Sequence, residues 1–386
     1  RIVNFVGLAQ RGITRRPGTR FAAPLADETQ KGLLIPFKAG NDDQAVLVIN
    51  AGTMRVARLT GYLTAVGAPY MLAGLPYGEA DLDNIRYAQS VDVVFLGCMG
   101  FSPRQLVRKG ATSWTFTAYE QSYGPYRLQN IDKAWTLTCS ARSGSAFTVT
   151  ASKALFKAGH VGSLWRLDEP TLDSVPTWLA LEDNVAMGAQ RRFGGNVYEC
   201  TNGPVNSGAN APTHTEGEVT SGNGKARWKY LHSGQCHVRV TEVTSSTVAK
   251  VTAYSALPDT LFTGPTYRWF EAAWSDVRGW PDNLRKVDQR LFWSRGDEWW
   301  LTYAGDYFSF AVDDTAASSL SGRLASPDGS LVDIQWAVPA GGVVAGTADG
   351  EWQIRGSSST DPLSDQSKIR ALPDGGIHRD TGGGGG

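Results

Sequence analysis

One short pattern recurs four times in this chain: an apolar strand, a glycine-containing turn, and a second strand with an aromatic or apolar residue just past the turn. It stands at Val46 to Val56 (VLVINAGTMRV), Val93 to Leu106 (VVFLGCMGFSPRQL), Leu291 to Leu301 (LFWSRGDEWWL) and Val343 to Ile354 (VVAGTADGEWQI). The first two copies start about 47 residues apart and the last two about 52, close to the roughly 40 to 50 residues of one four-stranded propeller blade. The repeat favours a propeller over a generic sandwich or barrel, although hairpins recur in any antiparallel protein.

Alternation with period two dominates elsewhere too, at Ala45 to Asn50, Thr53 to Leu59, Asp92 to Gly97, Ser113 to Tyr119, Ala134 to Ser140, Ala146 to Ser152, His237 to Val243 and Thr247 to Tyr254. Val, Thr, Ile and aromatic residues alternate across two faces there, as a half-buried strand requires. The expected class is therefore mainly β. Helix is expected only at Lys153 to Gly159, after a possible Ser152 cap, and at Thr177 to Met187, just after Pro176.

About 180 residues separate the second and third hairpins, far more than a blade connection needs. The expected organisation is residues 1–112 as the first part of a propeller-like domain with a basic N-terminal arm, 113–264 as an inserted small β domain, and 265–386 as the second part of the propeller. The inserted stretch is rich in Thr, Ser and Val, carries the polar loop Thr201 to Gly224, and returns through Pro258, Gly264 and Pro265 to a tryptophan-rich run.

Lys plus Arg equals Asp plus Glu, 37 of each, so no strong field of either sign draws the whole chain to nucleic acid or to an anionic membrane. The exception is the opening segment, where Arg1, Arg11, Arg15, Arg16 and Arg20 all precede the first acid, Asp27. Arg15, Arg16 and Arg20 are candidates for contact with an acidic neighbour or a phosphate backbone; a solvated strand is the competing reading. No run approaches the roughly 18 apolar residues of a membrane span, and no apolar leader opens the chain. A soluble, cytosol-made protein is expected. The chain starts at Arg1 and closes on the glycine run Gly382 to Gly386, so its ends are expected to be processed or disordered, or the full protein to be longer.

Catalysis needs convergent groups, and few are recognisable. GxSxG, HExxH, Walker and GxGxxG motifs are all missing. Cys98, Cys139, Cys200 and Cys236 lie far apart without zinc-site spacing, so free buried thiols are expected. His232 and His237 fall in one β segment, where their odd spacing sends them to opposite faces. His214, Glu216 and Glu218 have period two and would share a face of an extended strand, as a metal or an acid/base pair could use, or else form a solvated loop. Asp313 and Asp314 follow the aromatic run Trp299, Trp300, Tyr303, Tyr307, Phe308 and Phe310, an arrangement a glycosidase could exploit. Thr347, Asp349 and Trp352 are similar to a sialidase Asp-box, but Gly350 follows Asp349 too soon; a blade turn in which the Asp bonds local backbone is expected. Trp299, Trp300, Tyr307, Phe308, Phe310, Trp336 and Trp352 are accordingly candidates for blade core rather than for a sugar platform. No catalytic, metal or cofactor residues are assigned.

An ordered set of words carries a family resemblance. Arg15 to Phe21 (RRPGTRF), Leu34 to Phe37 (LIPF), Tyr87 to Val93 (YAQSVDV) and Pro103 to Leu106 (PRQL) are followed by His160-Val161-Gly162, His214 to Gly217 (HTEG), Trp274-Ser275, Gly279-Trp280-Pro281, Gln289 to Phe292 (QRLF), Gly305 to Phe310 (GDYFSF) and Gly350-Glu351-Trp352. In this order they resemble the tail nozzle, or tail tubular, proteins of short-tailed bacteriophages, over nearly the whole chain. Leu284 to Asp288 departs from the family's apolar-aromatic run and leaves the strand packing there open.

The resemblance implies a virion protein of the phage tail and not an enzyme. Such proteins form a homo-oligomeric ring, commonly a hexamer, beneath the portal and adaptor, and prolong the channel for genome ejection. Tail fibres or spikes dock outside, and genomic DNA passes through without specific binding. A propeller-like β domain with inserted β domains is the implied fold. Rival expectations are a glycan-binding or glycan-degrading propeller, such as a tail depolymerase, and a secreted adhesin, against which the lack of a leader and of a disulfide pattern counts.

Overall fold

The computed structural model describes residues 5–8, 12–15, 21–40, 43–141, 144–170, 175–222, 225–313, 315–325, 332–356, 363–364 and 367–371. The protein is mainly β. Its two compact units are Arg1–Ile85 with Gln89–Val94 and Gln105–Thr117, and Arg86–Ala88 with Phe95–Arg104 and Ala118–Gly386.

Each repeated hairpin lies within one sheet of strands taken mostly in chain order, and the sheets are blade-like. The first runs Leu33–Lys38, Gln44–Asn50, Thr53–Arg58 and Gly61–Tyr62, with Met71–Ala73 also paired to Thr53–Arg58. The second runs Arg86–Ser90, Val93–Cys98, Phe101–Gly110 and Ser113–Ala118, with residues assigned to both units. The third runs Asn283–Val287, Arg290–Arg295, Glu298–Leu301 and Leu320–Arg323, and the fourth Ile334–Pro339, Val343–Thr347, Gly350–Arg355 and Lys368–Ala371. Two-residue turns close the hairpins. Asn50 faces Thr53 and Arg295 faces Glu298, with Gly52 at φ 73° and Gly296 at φ 55°, conformations that β-branched or bulky residues resist.

Strand alternation sets the cores. In Leu33–Lys38, Ile35 and Phe37 point inward while Leu34, Pro36 and Lys38 are exposed, and Pro36 sits on an edge strand where a missing N–H is tolerated. In the first unit Phe37 meets Trp114 edge-on at 4.8 Å. The third sheet is covered on both faces. Val287, Phe292, Trp299 and Leu301 pack against Ile334, Ala337, Val343, Ala345 and Ile354 of the fourth sheet. From the other face, Trp293 meets Gly97 and Trp274.

The long insertion forms two further sheets. One has six strands in the order Leu137–Cys139, Phe147–Ala151, Val248–Ala253, Gln235–Ser245, Leu164–Asp168 and Trp269–Phe270. Its last strand lies beyond Gly264, and Leu137 also bridges Thr266. Between Asp168 and Gln235 the chain makes a four-stranded sheet, Gln190–Phe193, Asn196–Cys200, Arg227–His232 and Glu218–Thr220, with Trp178, Tyr198 and Trp228 in its core.

Neither expected helix forms as read. Residues 153–159 supply only the start of a 3-10 turn, Ala158–His160, because the N–H groups of Leu155 and Phe156 donate to the Ser246 carbonyl. Thr177 to Met187 is a tied loop: Thr177 bridges Arg192, Val185 bridges Val205, and Leu181 and Asn184 hold φ values of 58° and 57° that end any helix. The α-helix among the described residues is Asp259–Thr263.

Tryptophan rings lying on glycine recur between strands. Trp336 covers Gly346, its cross-strand partner, so closely that a Cβ there would fall inside the indole, and a Cβ on Gly322 would come within 2.8 Å of Trp299. Gly346→Ala is therefore expected to destabilise the protein by about 1–3 kcal/mol, as overpacking does, read as a lower urea midpoint. In a Trp336→Leu background the same substitution should cost far less; equal cost in both backgrounds would show that the indole is not the obstacle.

Candidate functional site

Three of the resembling words, at residues 160–162, 274–275 and 305–310, lie around one connecting segment, Tyr119 to Asn130, which has no strand of its own. Chain that is neither helix nor sheet must find partners for its backbone polar groups elsewhere. Ser122 N–H donates to Phe308 O and Phe310 N–H to Tyr123 O; Arg127 N–H donates to Glu271 O and Ala273 N–H to Pro125 O. Asn130 Nδ2 donates to the carbonyls of Asp132, Trp135 and Tyr267 at 2.9–3.1 Å. The segment is thereby stitched to residues 303–310, to residues 266–273 and to its own continuation.

Aromatic packing seals one side. Tyr119 stacks on Phe308 at 5.3 Å and meets Trp293 at 5.1 Å, while Trp274 meets Trp293, Trp300 and Phe310 at 5.1–5.5 Å. The Tyr119 hydroxyl donates to the Tyr307 carbonyl. Burial pushes its pKa well above the ordinary tyrosine value, so it remains a donor.

Two buried polar groups complete the junction. Glu271, 6% exposed, accepts from Arg278 Nε and Nη2 at 2.7 and 2.6 Å and pairs with His160 Nε2 at 3.2 Å. Burial raises the Glu271 pKa, but the bonds from His160 and Arg278 outweigh it and hold the carboxyl at about 2. On the far side, His237 lies between Tyr123 and Tyr126, with ring centroids 4.2 and 5.8 Å away. Tyr126 Oη stands 2.6 Å from His237 Nδ1, and Tyr123 donates to Gln235 Oε1 at 2.9 Å.

The other sequence candidates fall apart from this junction or into structural roles. His232 and His237 do not share a strand: Gly234, at φ 70°, turns the chain between Arg227–His232 and Gln235–Ser245. The row His214, Glu216, Glu218 is broken at Gly217, with φ 67°; only Glu218 is in a strand, paired with Arg227. Asp313 accepts from the Thr315 N–H and hydroxyl and from Tyr303 Oη, bonds that lower its pKa, while Asp314 lies outside the described residues. At the Asp-box-like turn the Thr347 hydroxyl, not the Asp349 carboxylate, organises the backbone: it accepts from Asp349 N–H and donates to Gly350 O. Among the described residues no three His, Cys, Asp or Glu side chains gather as a metal set. The four cysteines are buried and free, and burial pushes the Cys139 and Cys236 thiols up to about 12, away from nucleophilic thiolate.

Of the aromatic candidates, Trp299, Trp300 and Phe310 are buried, while Tyr307, Phe308, Trp336 and Trp352 are half-buried. Arg15 ends the strand Gly12–Arg15, which pairs with Phe5–Leu8; Arg16 and Arg20 lie outside the described residues. Sequence reading missed Arg290 as a structural centre. Its guanidinium, 2% exposed, donates to the carbonyls of Thr302, Ser318, Ala316 and Leu363. Burial lowers its pKa. An arginine opening the apolar run Leu291 to Trp293 was the available signal.

No family model matches the chain, and no curated protein matches it.

Glu271→Gln removes the charge that His160 and Arg278 share. It should cost about 2–4 kcal/mol, below the figure for a fully buried pair because the Arg278 side chain is 40% exposed. A carboxyl held at about 2 instead of 4.5 contributes stability that is present above pH 4.5 and lost as pH falls toward 2. Urea denaturation across that window should show a decline in the wild type that the Gln variant lacks.

Proposed function

We propose that the chain is a structural virion protein of a short-tailed phage, one subunit of a ring in the tail nozzle that prolongs the ejection channel. What carries the reading is the ordered set of words resembling that family, together with their use in the fold. His160, Trp274 and Tyr307 to Phe310, widely separated in sequence, meet around one segment whose chemistry is wholly structural. Around that segment Glu271, His160 and Asp168 are engaged in hydrogen bonds and ion pairs. A conduit subunit has to resist deformation, and a sheet covered on both faces, as the third is, supplies stiffness. A net charge of zero suits a wall past which phosphates slide.

In this proposal the copies assemble cyclically through unlike surfaces, commonly six to a ring. The inserted β domain, 113–264, faces outward for fibres, spikes or a neighbouring copy, and the basic arm meets the adaptor or the next subunit. Negative-stain micrographs of the purified protein test the ring directly, and closed rings with a central channel are expected. Release of reducing ends from capsular or lipopolysaccharide glycans by the protein would instead establish a depolymerase.

Replacing Arg15, Arg16 and Arg20 together by Glu should abolish or sharply reduce ring formation while leaving the circular dichroism and unfolding midpoint of the monomer unchanged. Normal rings from the triple variant would remove the arm from the assembly interface.

A further inference from the structure

His237 joins two parts of the fold that have no sequence proximity. It belongs to the strand Gln235–Ser245 of the six-stranded sheet, whereas Tyr123 and Tyr126 belong to the connecting segment that ties residues 271–273 and 303–310 together. The imidazole is 8% exposed and is covered by the two phenol rings. Burial raises the Tyr126 pKa, so its hydroxyl keeps its proton and donates it to His237 Nδ1 across 2.6 Å. That bond requires a neutral imidazole with an open lone pair on Nδ1.

The charged surroundings oppose an added proton. Arg166, directly across the neighbouring strand in register with His237, presents its guanidinium to the same site and donates to Tyr123 Oη at 3.4 Å. Asp168, the carboxylate bound to Arg166, is already taken: Arg166 Nε and Nη2 grip it at 2.6 and 2.7 Å, with Arg268 at 3.9 Å. On the His237 strand itself Arg239 adds a second cation, held by Tyr254 Oη and by the carbonyls of Gly162 and Gln121. The phenols of Tyr123 and Tyr126 also face the ring, and the Ser255 hydroxyl accepts from the backbone N–H of His237.

We infer that His237, Tyr123 and Tyr126 form an acid-sensitive latch, closed while the imidazole is neutral, by which the connecting segment is fastened to the six-stranded sheet. When the ring takes a proton, Nδ1 becomes a donor and the bond with Tyr126 must reverse, and a cation is placed beside Arg166, whose partner Asp168 is already engaged. The closed form therefore excludes the proton and the open form admits it. Burial, reinforced by Arg166, keeps the closed imidazole down at about 4, against 6.5 for an exposed histidine. The sign follows: latch stability is intact above pH 6.5 and is lost as pH falls from 6.5 to 4, up to tenfold per pH unit and roughly 300-fold in all. Glu271, held at about 2, contributes only below pH 4.5, so the interval from 6.5 to 4.5 reports His237.

Hydrogen exchange of the full chain, read as protection factors corrected for intrinsic rate, tests this on the amides of Ser122, Arg127, Ala273 and Phe310. Protection in the wild type should fall close to tenfold per unit between pH 6.5 and 4.5, with amides in the middle of the third sheet unaffected. In His237→Gln the slope should vanish. An equal slope in that variant, or none in the wild type, would overturn the latch. If the variant fails to fold, the imidazole can be titrated by nuclear magnetic resonance in the wild type, where a midpoint near 4 is required and one near 6.5 overturns the inference.

Discussion

Burying a stretch of irregular backbone forces every nearby element to face it. Residues 119–130 can make neither a helical ladder nor a strand ladder, so their N–H and C=O groups take partners from residues 266–273 and 303–310. Those partners in turn are fixed by the third blade-like sheet, through Trp293 and Trp300, and by Glu271 with Arg278 and His160. An unmet amide in such a place costs about 1–3 kcal/mol. A change at any of these loops is therefore felt by all of them, which is how a set of short connections behaves as one rigid piece.

Packing across neighbouring strands follows a second constraint, the breadth of tryptophan. An indole can lean over the adjacent strand only where its cross-strand partner has no side chain, and Gly346 and Gly322 provide that space for Trp336 and Trp299. Glycine normally weakens a strand; here the ring restores the lost contact by covering the bare backbone. Arg290 does comparable work at the end of the same sheet. Four carbonyls accept from its guanidinium, so one buried charge ties together Thr302, Ala316, Ser318 and Leu363.

The blade-like sheets were legible because their determinants are local. Alternation and a glycine two residues from the strand end are properties of a dozen neighbouring residues, and all four hairpins lie in the sheets they imply. The junction was not legible, because its contacts are remote: His160 meets Glu271 and Tyr126 meets His237 across 111 residues each, and Tyr119 meets Tyr307 across 188. Nothing in local spacing marks such pairs. Thr177 to Met187 failed for a related reason. Its apolar spacing suits a helix, but Ser207 accepts from Glu182 N–H and donates to the Leu179 carbonyl, and Arg191 holds the Glu182 carboxylate with two bonds. Tertiary partners outbid helical propensity there.

Buried charge in this fold is distributed in two different ways, and the difference has a consequence. Around Glu271 the opposite charges are matched at bonding distance, so the site is stable down to strongly acid conditions and only loss of a partner disturbs it. Around His237 the cations Arg166 and Arg239 lie close while the nearby carboxylate is already committed, so the site tolerates no further positive charge. The same segment is thus fastened at one end by a charge-saturated clamp and at the other by a bond that demands neutrality. Mild acid must act on the second fastening before the first.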